Sequence, residues 1–228
     1  DNRDHGQLWT PIVPGAELVV EVQIAAKAAA ELELERTSVN VGYKTFGETL
    51  VDKSGTCNID VVCPEGDGWR DDIQSVAVIS TGGSTFCSGF MVNNTAQDER
   101  SFFMTAYHCG IHATQAPTLV TYWNFFSPTC GQQGGGSLSQ FLTGSTLRAE
   151  SSTSDFTLVE LNSVPDVSWN VAYAGWDRGT QDPTSATAIH HPSTDEKSIS
   201  FEYDPLSTTT SLQTAVPGDG THLRVIDW

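Results

Sequence analysis

Along most of this chain, apolar and polar residues alternate over short stretches cut off by Gly, Pro, Asn, Asp and Ser, most sharply from Cys57 onward. That pattern predicts many short strands, each with one face toward a core. Strands are expected at Ser75–Ile79, Phe86–Val92, Thr118–Trp123, Phe156–Leu161, Val171–Trp176 and Ser185–Ile189. The tract from Gly131 to Ser139, which includes Gly134, Gly135 and Gly136, is expected to be a flexible loop. No internal repeat is visible, and no stretch nears the roughly 18 to 20 apolar residues that a membrane-spanning helix needs. The expected class is all-β, a barrel or a sandwich.

Residues 1–50 differ from the rest. They hold no cysteine, and β-like alternation recurs at Leu18–Ile24 and among Leu32, Leu34, Val39, Val41 and Tyr43. Between these lies Ala25–Ala30, whose alanines favour a short helix or a loop. Glu48–Gly55 is mostly polar and reads as a linker, with Lys53 a candidate processing site just ahead of Ser54-Gly55-Thr56-Cys57. The expected organisation is a β-rich segment over 1–50 and a larger domain over 51–228. With neither an initiating Met nor a leader, the chain is expected to derive from a longer precursor.

A chain of 228 residues is long enough to enclose a sizeable core. The net charge of −17 and pI near 4.4 argue against a nucleic-acid partner, whose phosphates this surface would repel. Lysine occurs only at Lys27, Lys44, Lys53 and Lys197, a balance that suits an exported protein. The cysteines are Cys57, Cys63, Cys87, Cys109 and Cys130, with no Cys-x-x-Cys pair to suggest a zinc ribbon or a redox motif. Disulfides are the better expectation, and the odd count leaves one thiol free or partnered elsewhere. No cofactor, metal or membrane contact is expected.

Two short motifs carry the candidate chemistry. Thr105-Ala106-Tyr107-His108-Cys109 follows the apolar run Phe102-Phe103-Met104, and Ser154-Asp155 heads the strand-like Phe156–Leu161, 47 residues after His108. Acyl transfer by a hydroxyl needs a base that titrates near neutrality, which imidazole supplies. A carboxylate that accepts the Nδ1 hydrogen fixes the tautomer and orientation of that base. Alone, a histidine beside a cysteine is more often structural, and an aspartate before a strand is usually a turn residue. The third member of a Ser-His-Asp set, a serine in a Gly-x-Ser-Gly turn, is missing from the sequence.

The residues around both motifs resemble the chymotrypsin-like serine proteases. Cys87-Ser88-Gly89-Phe90-Met91-Val92 is similar to that family's Cys-Gly-Gly-x-Leu-Ile strand, and Asp155–Leu161 to its Asp-Ile-x-Leu-x-x-Leu strand. A closer resemblance is to the bacterial lysyl endopeptidases. It is carried by Cys57-Asn58-Ile59-Asp60-Val61-Val62-Cys63-Pro64-Glu65-Gly66-Asp67-Gly68, Val92-Asn93-Asn94-Thr95-Ala96, Tyr122-Trp123-Asn124, Ala174-Gly175-Trp176-Asp177-Arg178, Ile189-His190-His191-Pro192 and Thr221-His222-Leu223.

The resemblance implies a double β-barrel whose second barrel is incomplete, with residues 1–50 the end of a pro-region. It implies His108 as general base, Asp155 as its orienting carboxylate, and a nucleophile beyond Trp228. It pairs Cys87 with Cys109 and Cys63 with Cys130, and leaves Cys57 to a cysteine downstream of the nucleophile. The implied protein is a secreted, monomeric serine endopeptidase acting on proteins or peptides, and this stretch of it is expected to be inactive alone. One departure stands out. Lysyl endopeptidases carry a tryptophan between the Glu-Lys motif (Glu196-Lys197) and the Thr-His-Leu motif, and this chain has none there. The resemblance therefore speaks for peptidase class more than for lysine preference.

Other candidates are weaker. His190 and His191 would face opposite sides of a strand, which suits a structural role. The acidic set Asp60, Glu65, Asp67, Asp71 and Asp72 lacks EF-hand spacing for calcium. Asn93-Asn94-Thr95 fits a short glycosylation pattern. Two other classes remain open: a non-catalytic relative kept for binding, and an unrelated exported β-sandwich in which Cys87 and Cys109 are not bonded.

Overall fold

The computed structural model describes residues 6–41, 55, 57–211 and 216–226. In chain order the described strands are β1 (Ile59–Asp60), β2 (Val76–Thr81), β3 (Thr85–Met91), β4 (Phe102–Thr105), β5 (Val120–Tyr122), β6 (Phe141–Thr143), β7 (Ser145–Ser151), β8 (Phe156–Leu161), β9 (Ala186–His190), β10 (Ser198–Glu202), β11 (Ser207–Thr209) and β12 (His222–Arg224). Among the described residues, one α-helix, α1 (Arg70–Ser75), and several 3₁₀ turns join them.

Seven strands make one antiparallel sheet in the order β6-β5-β2-β3-β4-β8-β7. Its edge strands β6 and β7 are consecutive in the chain, with only Gly144 between them. The sheet must therefore curl until its edges meet. Gly144 donates to the Leu119 carbonyl and accepts from the Asn162 N–H, which stitches the seam.

Period-two alternation explains the packing. Ala77 and Ile79 of β2 point into the barrel with Met91, Phe103, Trp123 and Val159, whereas Val78 points outward. That outer face is buried as well, because Trp9 and the segment carrying Phe125, Leu138 and Phe141 cover it. At the β3–β4 crossing a Cβ on Gly89 would lie 2.3 Å from the Phe103 ring, so only glycine lets these strands pack here.

A second, open β unit follows. Strands β1, β10 and β9 form a three-stranded antiparallel sheet over Val61, Ile73 and Ile199, and β11 pairs with β12. A curled, barrel-like antiparallel sheet followed by a second, open β unit is a chymotrypsin-like arrangement. The disulfide Cys63–Cys130 ties the start of α1's lead-in turn to the segment after β5.

Three expectations are corrected. The alternation at Leu18–Ile24 and Leu32–Val41 forms no strand; within 6–41 the regular structure is a 3₁₀ turn, Ala26–Glu31. Alternation specifies a strand only where a partner strand and a core exist, and here Leu18, Val20, Leu34 and Val41 stay exposed. Val171–Trp176 yields a single parallel bridge, Val92 to Ala174. The Gly131–Ser139 tract is tied down, because the N–H groups of Gly134, Gly135 and Gly136 all donate to the Glu196 carboxylate. Of the expected linker Glu48–Gly55, residues 48–54, Lys53 among them, lie outside the described residues, as does Tyr43.

Candidate active site

The site sits where β4 leaves the barrel and where the β7–β8 hairpin turns. After β4 the chain makes one 3₁₀ turn, Tyr107–Cys109, that carries His108 outward and Cys109 inward. Cys109 is bonded to Cys87 of β3 with a Cα–Cα distance of 6.1 Å, so the turn is fastened to the barrel wall. Asp155 closes the hairpin in a left-handed conformation, φ 51°, one residue before β8.

Asp155 meets His108 at two points. Oδ1 accepts the His108 backbone N–H at 2.9 Å, and Oδ2 lies 2.7 Å from Nδ1. A carboxylate only accepts, so Nδ1 carries the hydrogen, and in the neutral ring the lone pair is on Nε2. Partial burial pushes the Asp155 carboxyl up, but the backbone N–H and ring of His108, with a further contribution from the charge of His222, hold it below the usual aspartate range. The His108 side chain is 72% exposed, so the lone pair is open to an approaching group.

Beside the pair, Ser88, Gly89, Phe90, Met104 and Phe156 line a mostly apolar hollow of about 280 Å³ that reaches Asp155. Cys87, His108 and Cys109 bring ligand-type atoms within 4.8 Å of one another. The two sulfurs are joined in the disulfide, however, and offer no thiolate to a metal.

The other sequence candidates separate cleanly. Cys57 is exposed and free among the described residues. Asp60 accepts from the Gly131 N–H and Asp67 pairs with Arg70, so these two acids are taken up in structural contacts. His191 is buried, its Nδ1 against the Asp195 carbonyl, and burial drives it well below the usual imidazole range. Asn93 accepts from the Asn94 N–H through its own side chain, and its carbonyl receives the Trp176 indole.

Two features escaped sequence reasoning. His222, at the head of β12, stands close enough to influence Asp155, and its Nε2 is buried without a hydrogen-bond partner among the described residues. A second histidine–carboxylate pair, His112 Nδ1 to Glu150 Oε2 at 2.6 Å, lies on the same two segments as the first. Its members are 38 residues apart and no local pattern marks either.

Residues 51–228 match the family model described as "Lysyl endopeptidase, C-terminal domain". The chain belongs to the lysyl endopeptidase family. Over 210 residues it is 28% identical to the lysyl endopeptidase of Pseudomonas aeruginosa, covering 84% of this chain and 45% of that protein. The chain thus spans less than half the length of that lysyl endopeptidase. Among solved structures, the inactive form of the Rv3671c protease superposes with a TM-score of 0.37 at 10% identity, over 65% of this chain and 64% of that one. As a lysyl endopeptidase family member, the chain carries the domain of a protease.

Proposed function

We propose that the whole protein is a secreted serine endopeptidase and that His108 and Asp155 are two members of its catalytic triad. The observation that carries this reading is the two-point grip of Asp155 on the His108 ring and backbone N–H, within a lysyl endopeptidase domain. His108 Nε2 takes the proton of a serine hydroxyl contributed by chain beyond these 228 residues, and later returns it to the leaving amine. Asp155 keeps the hydrogen on Nδ1 and stabilises the imidazolium that forms. Backbone N–H groups around the serine hold the developing oxyanion.

The 228-residue chain alone has no Gly-x-Ser-Gly turn, and on this reading it does not hydrolyse peptides. In the full-length protein, His108→Ala lowers kcat/KM by about 10⁴-fold or more, and a serine-directed phosphonate labels a residue outside the chain described here. Retained activity in the His108 variant would sink the assignment. Turnover by the 228-residue chain that is lost with His108→Ala would sink the requirement for an outside nucleophile. A substrate series with Lys, Arg or Leu before the scissile bond assigns the preference.

A further inference from the structure

We propose that His112 and Glu150 are positioning residues that hold the His108–Asp155 pair in register; the inference rests on the reading of that pair given above. The geometry is a double attachment. His108 and His112 are four residues apart on the segment that leaves β4, and Glu150 and Asp155 are five apart on the β7–β8 hairpin. Each imidazole meets its carboxylate through Nδ1, at 2.7 Å for His108 and 2.6 Å for His112.

A hairpin turn held through one side chain, even one that grips at two points as Asp155 does, can still pivot about that side chain. A second contact a few residues away removes that freedom. Glu150 is well placed for this, because it pairs with Thr157 across the hairpin and so moves with the strand that follows Asp155. His112 is equally anchored. Its carbonyl accepts the N–H groups of Gln115 and Ala116, and its ring lies 4.7 Å from the ring of Tyr107, the residue just before His108. A path of direct contacts therefore runs Glu150, His112, Tyr107 and then through the backbone to His108. A displacement of about 1 Å at a reacting group is enough to cost on the order of 10²-fold in rate, so small losses of register are functionally visible.

Two variants separate the hydrogen bond from the packing. Glu150→Ala removes the carboxylate, and His112→Phe keeps a ring against Tyr107 but cannot reach Glu150 with a hydrogen bond. Arg148→Gln is the control, because it weakens the same strand by loosening its ion pair with Glu160 and touches neither pair. The readout is the Nδ1 proton of His108 in the ¹⁵N-histidine-labelled full-length protein, followed by its exchange with water.

Both brace variants are expected to speed that exchange about tenfold, the double variant no more than either single one, with Arg148→Gln unchanged. In the full-length enzyme the same two variants lower kcat about tenfold while KM stays within about twofold. Exchange unchanged in both brace variants, or raised equally by Arg148→Gln, would overturn the proposal. If the parent chain itself lacks the Nδ1 resonance, the His108–Asp155 pairing fails and the brace fails with it. A parent resonance that is present and insensitive to the variants fells the brace alone.

Discussion

Lys197 shows how much a single residue can hide. Its side chain is fully buried, with Nζ donating to the Ile73 carbonyl at 2.8 Å, and burial lowers its pKa from 10.5 to about 7. Between those two values the unfolded chain holds a proton that the folded chain has released. Stability therefore rises with pH across that window, by up to about 1.4 kcal/mol per pH unit. Lys197→Met is expected to abolish that rise and to be more stable than the parent below pH 7, as read from urea midpoints at several pH values. Parallel curves for the two proteins would disprove it. Asp155 behaves in the opposite sense. Its depressed carboxyl contributes stability above its ordinary value of 3.8, and that contribution is lost as pH falls through the folded value. Asparagine also tolerates the left-handed φ of 51°, so Asp155→Asn keeps the turn but removes the charge and replaces one of the two acceptor oxygens facing His108 with an NH2 donor. It should cost about 1 kcal/mol at neutral pH, with the loss vanishing in acid. A deficit that persists in acid would mean the turn itself had been damaged. The types of His108 and Asp155 were legible in the sequence from their surrounding motifs. The burial of Lys197 was not, since a lysine is almost never fully enclosed and nothing local announces it.

At the scale of elements, the strands that could be read were those whose alternation met a partner. The pattern over Phe156–Leu161 became β8, with Val159 and Leu161 inside the barrel. An equally good pattern over Leu18–Ile24 became nothing regular, because pairing is a long-range property. The glycine tract was misjudged for the converse reason: composition reports freedom, and a distant carboxylate removed it. Glu196 Oε1 accepts from Gly135 at 2.8 Å and Gly136 at 2.5 Å, and Oε2 from Gly134 at 2.9 Å. A Cβ on Gly136 would lie 2.8 Å from that carboxylate and from the Phe125 ring, so side chains are excluded there. Glu196→Ala strands three N–H groups and should destabilise the chain by about 3 kcal/mol or more. Hydrogen exchange at residues 134–136 should accelerate before global unfolding. Amides that stay protected in that variant would show the tract is held by something else.

At the scale of the molecule, the N-terminal segment and the barrel are joined by a few specific contacts. Trp9 packs on Val78, Val120, Tyr122 and Phe125, the Ile12 N–H donates to the Tyr122 hydroxyl at 3.1 Å, and the Asn40 amide reaches the Gly82 carbonyl. Trp9→Ala should cost about 2 kcal/mol, less than a fully buried tryptophan because Trp9 is half-buried, and should raise binding of a hydrophobic dye. Unchanged stability and dye binding would show that the segment covers the barrel without supporting it. The seam at Gly144 carries a consequence of another kind. Gly144 carries the chain from β6, paired with β5 alone, into β7, paired with β8 alone, so each of these strands keeps an outer edge of the kind on which foreign strands template themselves. In the three-stranded sheet, β9 is likewise paired on one side only among the described residues. If this protein aggregates or exchanges strands between copies, growth should begin at these open edges, Phe141–Thr143, Ser145–Ser151 or Ala186–His190, rather than at the inner strands of either sheet.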